Sequence, residues 1–222
     1  MTRQHRPDPG HARLVEVDPE RIVLWVNGFA ERHGALTWSS TERSLALSAA
    51  DGATAVLEPF AHCAPSGPGA VDELAHWAAP PARLALVLVR RGGYAVGLGQ
   101  EQELTAHKVG TRYVQSRTAA GGWSQHRFAR RRDNQADALV GSVIEHTIRI
   151  VLASPADALV VGGDKVLVRD VLVDARLSRL ASLPRRELFD LPDPRLVVLQ
   201  RALRRGRAVR ITLREPVPQV ES

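Results

Sequence analysis

Residues 83–90, RLALVLVR, constrain the fold more than any other stretch of the chain. Six consecutive apolar residues between two arginines lack the alternation of a strand with one wet face. They describe a strand buried on both faces, which needs covering layers on either side of its sheet. Arg91-Gly92-Gly93 is a tight turn, and Tyr94–Leu98 is the returning strand of a hairpin. Leu104–Gln115 follows as a third strand. From about Arg127 to Leu152, Ala136, Leu139, Val140, Val143, Ile144, Ile148 and Val151 recur at three to four residues, the period of one long helix. Ala158–Gly162 is a further buried strand. Asp164–Leu183 is a second helix stopped by Pro184, Arg185–Phe189 a short strand, Pro194–Arg204 a third helix and Ala208–Leu213 a last strand. A hairpin sheet continued by helix–strand crossovers makes a mixed α/β layer structure.

The first eighty residues make a separate, smaller unit. Residues 1–13 are polar, with Pro7, Pro9 and Gly10, and are expected to form a disordered tail. Asp18-Pro19-Glu20 supplies a cap, a proline at the first helical position and an early acid for a helix over 19–33. Leu36–Trp38, Ser44–Ser48 and Thr54–Leu57 are short strands, the last two joined through the hairpin signal Asp51-Gly52. The expected division is a tail at 1–13, a small α+β unit at 14–64, a linker at 65–81 rich in Pro and Gly, and the main domain at 82–222.

Charge singles out the arm between the third strand and the long helix. The chain carries 30 Lys and Arg against 24 Asp and Glu, a formal net charge of +6. From His107 to Arg132 there are seven basic residues and no acid: Lys108, Arg112, Arg117, Arg127, Arg130, Arg131 and Arg132. Arginines heading a helix oppose its macrodipole, which favours acids there, so phosphate is the natural external counter-charge. Between the flanks lies Gly121-Gly122-Trp123-Ser124-Gln125. Two glycines let the backbone approach a partner closely, and Trp123 can stack on a base. Gln125 cannot act as a base, because its amide does not titrate near neutral pH. It can orient a water or donate to a developing oxyanion.

The Gly121–Gln125 sequence, followed by Arg131-Arg132-Asp133-Asn134-Gln135 at the head of a long helix, resembles the Vms-type release-factor family. That family is related to the middle domain of the archaeal and eukaryotic class 1 peptide-chain release factors. The chain is most similar to the compact actinobacterial branch, the VLRF-type release factors or peptidyl-tRNA hydrolases, over roughly residues 82–215. The resemblance implies a mixed-sheet α/β domain of the ribonuclease-H-like kind, preceded here by the small α+β unit. It also implies a ribosome-dependent peptidyl-tRNA hydrolase that works without reading a codon on stalled or split large subunits. Gln125 would be the catalytic residue, Gly121, Gly122, Trp123 and Ser124 the loop that carries it, and the seven basic residues the grip on RNA. The implied partners are the large ribosomal subunit, its 23S rRNA and peptidyl-tRNA. Release factors proper have glycine, glycine and glutamine contiguous, whereas Trp123 and Ser124 intervene here. Cutting of the tRNA near its 3′ end, and plain RNA binding without catalysis, are the alternatives.

Other constellations carry less. A single cysteine, Cys63, excludes an intramolecular disulfide and a multi-cysteine metal site. The eight histidines are scattered, and neither a metal nor a cofactor is expected. Asp164, Asp170 and Asp174 would have to converge to hold metals for nuclease chemistry. Gly162-Gly163-Asp164-Lys165 fits either a phosphate site or a turn in which Asp164 caps a helix. Arg201, Arg204, Arg205, Arg207, Arg210 and Arg214 form either a further RNA-binding surface or a solvated helix end and edge strand. With no signal-peptide core and no apolar run of membrane-spanning length, the expected location is the cytoplasm, away from membranes.

Overall fold

The computed structural model describes residues 12–41, 43–60, 71–111 and 124–216, with backbone alone at 71–72 and 124–134. The chain divides into two compact units, residues 1–80 with 207–222, and residues 81–206.

The first unit opens with β1 (Arg13–Val17), a strand the sequence reading leaves out. Pro19–Arg21 form one 3-10 turn ahead of α1 (Ile22–His33). Asp18 makes no side-chain cap; its carbonyl accepts from the Arg21 amide at 2.9 Å. Helix α1 buries Ile22, Val26 and Phe29, one face at helical spacing. Strands β2 (Leu36–Ser40), β3 (Leu45–Ala49) and β4 (Thr54–Glu58) follow as an antiparallel meander, and α2 spans Val71–Trp77. Alternation along β3 and β4 sends Leu45, Leu47, Ala55 and Leu57 into one core with Ile22, Val26, Phe29, Leu74 and Trp77.

The second unit holds β5 (Arg83–Arg90), β6 (Gly93–Gln100), β7 (Glu103–Thr111), α3 (Ser124–Val151), β8 (Ala158–Gly163), α4 (Lys165–Leu172), α5 (Ser178–Ala181), β9 (Arg185–Leu188) and α6 (Leu196–Arg207). Its sheet runs β7-β6-β5-β8-β9. The hairpin pairs are antiparallel, whereas β5, β8 and β9 are parallel. This is a mixed α/β sheet, as the hairpin followed by helix–strand crossovers leads one to expect. Every residue from Leu84 to Val89 is buried, as a strand covered on both faces requires. Ala85, Val87 and Val89 face Leu139, Val143, Leu167, Val171 and Leu177 of the α3–α5 layer. The opposite face receives α6, with Leu199 against Gly97, Leu203 against Gly99, and Gly206 against Val160 and Leu84.

The single helix expected over 164–183 is broken. Asp174 accepts from the Arg176 amide at 2.9 Å and starts a 3-10 turn, Ala175–Leu177, between α4 and α5. A short carboxylate side chain competes in this way for the backbone donors that would continue the helix.

The last strand, β10 (Val209–Arg214), does not join the sheet of the second unit, where sequence order places it, and it is not an edge strand. It pairs antiparallel with β1 on one side and β4 on the other, giving the order β1-β10-β4-β3-β2. Val209, Ile211 and Leu213 complete the core of the first unit. The second unit is therefore inserted between α2 and β10 of the first.

Candidate functional site

Sheet polarity fixes where the arm leaves. β7 runs antiparallel to β6, and β6 antiparallel to β5, so β7 ends at the same sheet edge as β5. The terminal rung, Gly93 with Thr111, lies at that edge. β8 also ends there, its Gly163 paired with Val89. At the opposite edge, the loop after α3 returns the chain to β8, and the Asp157 amide donates to the Arg83 carbonyl at 2.9 Å. Helix α3 thus spans the sheet from the edge where β5 starts to the edge where the arm begins. Its 28 residues extend about 42 Å. The eight residues of β5 cover only about 26 Å. Helix α3 is therefore roughly 16 Å longer than the central strand that it packs against.

The sequence-predicted residues fall on this geometry as follows. Lys108 is exposed on β7, on the rung with Val96 and hence on the α3 face of the sheet. Ser124, Gln125, Arg127, Arg130, Arg131 and Arg132 occupy the opening turns of α3, whose first turn contains no acid. Arg112, Arg117, Gly121, Gly122 and Trp123 lie outside the described residues. Because α3 begins at Ser124 and not near Arg127, Gln125 belongs to the first helical turn and not to the loop. The first four amides of a helix have no intrahelical acceptor, so Gln125 stands among backbone donors at the positive end of the macrodipole.

Two elements carry the arm, β7 into it and α3 out of it, and one residue touches both. The Tyr94 ring of β6 stacks on His146 of α3 with centroids 5.5 Å apart and lies directly over Gly110, one residue before the end of β7. Arg149 Nη2 donates to His146 Nδ1 at 2.9 Å, an acceptance that needs the neutral ring. Burial, then the positive charges of Arg149 and Lys108, lower the His146 pKa; Glu145 opposes them. Sequence reasoning misses this root, and only Gly110 inside a strand pattern hints at a close approach. A Cβ at position 110 would enter the Tyr94 ring. Gly110→Ala is expected to cost about 1–3 kcal/mol of stability, read as a lowered Tm.

The remaining candidates resolve into structural roles. Asp164 accepts from the Val166 and Leu167 amides at 2.9 and 3.3 Å and so caps α4. Asp170 bonds Arg169, and Asp174 bonds Arg176. The three carboxylates are each engaged separately, and among the described residues no cluster of three potential metal ligands forms. An open cavity of about 380 Å³ lies where β5 and β8 end, lined by Arg90, Arg91, Gly92, Gly163, Asp164 and Asp193. Its two arginines face two carboxylates, and Arg90 is already held by the Leu191 carbonyl at 2.7 Å. No helix among the described residues is long and apolar enough to cross a membrane.

The sequence of residues 82–212 matches the family described as the Actinobacteria/chloroflexi VLRF1 release factors, acVLRF1. The chain belongs to this family. The match covers the whole arm-bearing unit and most of β10, so the VLRF1 region crosses from the second unit into the first. Membership places the protein among translation release factors. Among solved structures, the VLRF1 chain is similar to the "Vms1 mitochondrial localization core" at 11% identity and a TM-score of 0.44, covering 81% of this chain and 92% of that one. It is also similar to the archaeal translation termination factor aRF1, at 11% identity and a TM-score of 0.37, covering 87% of this chain and 64% of that one. No curated protein matches the chain.

Proposed function

We propose that this VLRF1-family protein is a codon-independent peptidyl-tRNA hydrolase acting on stalled or split large ribosomal subunits. The observation that carries the reading is the sequence Gly121-Gly122-Trp123-Ser124-Gln125, followed by Arg127, Arg130, Arg131 and Arg132, with Ser124 and Gln125 opening α3. A domain's own catalytic apparatus sits in a cleft with acids, bases or metals around it. From Gly121 to Arg132 this head has no carboxylate or cysteine and a single histidine, His126, and instead carries charge for RNA. The peptidyl-transferase centre would supply the rest of the site. There Gln125 positions a water, whose oxygen bonds to the ester carbonyl carbon. The bond to the terminal ribose oxygen breaks, and that oxygen leaves with a proton. The helix-start amides and the Gln125 amide donate to the oxyanion between these events.

Large subunits carrying labelled peptidyl-tRNA test the reaction. Free peptide together with tRNA retaining an intact CCA end is the expected product. A shortened tRNA would replace hydrolysis by endonucleolytic cutting, and binding without product would leave an RNA-binding module.

The arginines make a separate prediction. Replacing Arg130, Arg131 and Arg132 by alanine should lower affinity for the particles about ten- to a hundred-fold at physiological salt. It should also flatten the plot of log K against log salt by about 2 to 3, since each lost phosphate contact removes about 0.7–0.9. An unchanged slope in sedimentation binding would show that these side chains do not meet phosphate.

A further inference from the structure

Helix α6 presents charge of one sign on the sheet face opposite α3. Its buried stripe is Val198, Leu199, Ala202, Leu203 and Gly206. The outward stripe, at the same helical spacing, is Val197, Gln200, Arg201 and Arg204, and Val197 is 67% exposed. No acid occurs between Pro194 and Arg207.

A basic helix end is usually explained by its own dipole or by neighbouring carboxylates. Both explanations are taken up here by other side chains. Buried Arg186, from β9, donates through Nη1 to the carbonyls of Arg205 and Gly206 at 3.3 and 3.1 Å, and so satisfies the helix C-terminus. Asp190 is held by Arg205 at 2.7 Å and acts on Arg201 only through its field. Arg207 is paired with Glu20. Elsewhere arginines meet carboxylates: Arg169 with Asp170, and Arg176 with Asp174 and Glu145. Arg201 and Arg204 are turned to solvent one helical turn apart, with an apolar residue beside them.

We propose that the outer face of α6 is a second RNA-binding surface, in which Arg201 and Arg204 take adjacent phosphates of a structured RNA and Val197 packs against the sugar edge. Arginine suits the role because its planar fork meets phosphate oxygens two at a time. The domain would then contact RNA on both faces of its sheet, through the head of α3 on one side and α6 on the other. The inference rests on the ribosome-bound reading above, but it does not require Gln125 to be catalytic.

Binding of the full chain to purified large ribosomal subunits, and to a 24-base-pair RNA duplex, tests it across a salt series. Arg201→Ala/Arg204→Ala should bind both probes about ten-fold more weakly, with a slope flatter by roughly 1.5–2. Arg201→Lys/Arg204→Lys should recover the slope, and Arg169→Ala, which removes an exposed arginine paired with Asp170, should bind as wild type. Wild-type affinity and slope in the double alanine variant would overturn the proposal. Weaker binding with an unchanged slope would also overturn it, by making α6 a protein-contact surface. Failure of wild type to bind either probe would overturn it as well. Absence of peptide release with the α6 effect intact would remove the enzymatic reading and leave this one standing.

Discussion

Ending the chain after Arg207 is expected to unfold the first unit while leaving residues 81–206 folded. Strand β10 lies between β1 and β4, so its loss strands β1 and opens β4 as an edge. It also removes Val209, Ile211 and Leu213 from the core of that unit. Burying a side chain of this size contributes about 1.5–3 kcal/mol. Three of them amount to roughly 5–9 kcal/mol, comparable with the net stability of a whole small domain. The core of the second unit lies between β5, β6, β8 and helices α3–α5 on one face of the sheet and includes Leu199, Ala202 and Leu203 of α6 on the other, all of which the truncated chain keeps. Hydrogen exchange reads both units in one experiment. Amides of β3 and β4 should lose protection in the truncated chain, and those of β5 and β8 should keep it. Protected β3 and β4 amides would show that the first unit does not depend on its last strand.

That strand also marks a limit of sequence reading. Its existence is legible, because Val209, Ile211 and Leu213 alternate with polar residues. Its partners are not, because they lie about 150 and 200 residues earlier in the chain, and nothing local specifies pairing at that range. The strand β1 goes unread because five residues with two charges carry too little periodicity. The helix over 164–183 breaks because Asp174 gives its carboxylate to a backbone amide, a choice that hydrophobic spacing does not register. By contrast, residues 83–90 and the 136–151 period leave few alternatives, and the central strand and the long helix stand where they are expected. The candidate site divides in the same way. Order and charge mark Gln125 and the arginines, since both are properties of adjacent residues. The root of the arm, where Tyr94 meets Gly110 and His146, joins three separate strands and helices and has no local signature.

Replacing Gln125 by alanine is expected to have the largest effect on activity. The side chain offers an amide donor and a carbonyl acceptor in the first turn of α3, and nothing beside it in the sequence duplicates them. Loss of one oxyanion donor in well-studied hydrolases costs about 2.7–4 kcal/mol, a rate loss of roughly 10²–10³-fold. Gln125→Glu should fail as well, because a carboxylate would face the developing oxyanion with like charge. Neither change touches the arginines, so particle binding and its salt dependence should stay at wild-type values. A defect confined to the chemical step is what separates a catalytic glutamine from a docking one.

The most direct test is single-turnover peptide release from large subunits loaded with peptidyl-tRNA, with wild type and Gln125→Ala both at saturating protein. Wild type should release peptide and leave an intact tRNA 3′ end, and the variant should release it roughly 10²–10³-fold more slowly at equal occupancy. Equal rates from the two proteins would contradict a catalytic role for Gln125.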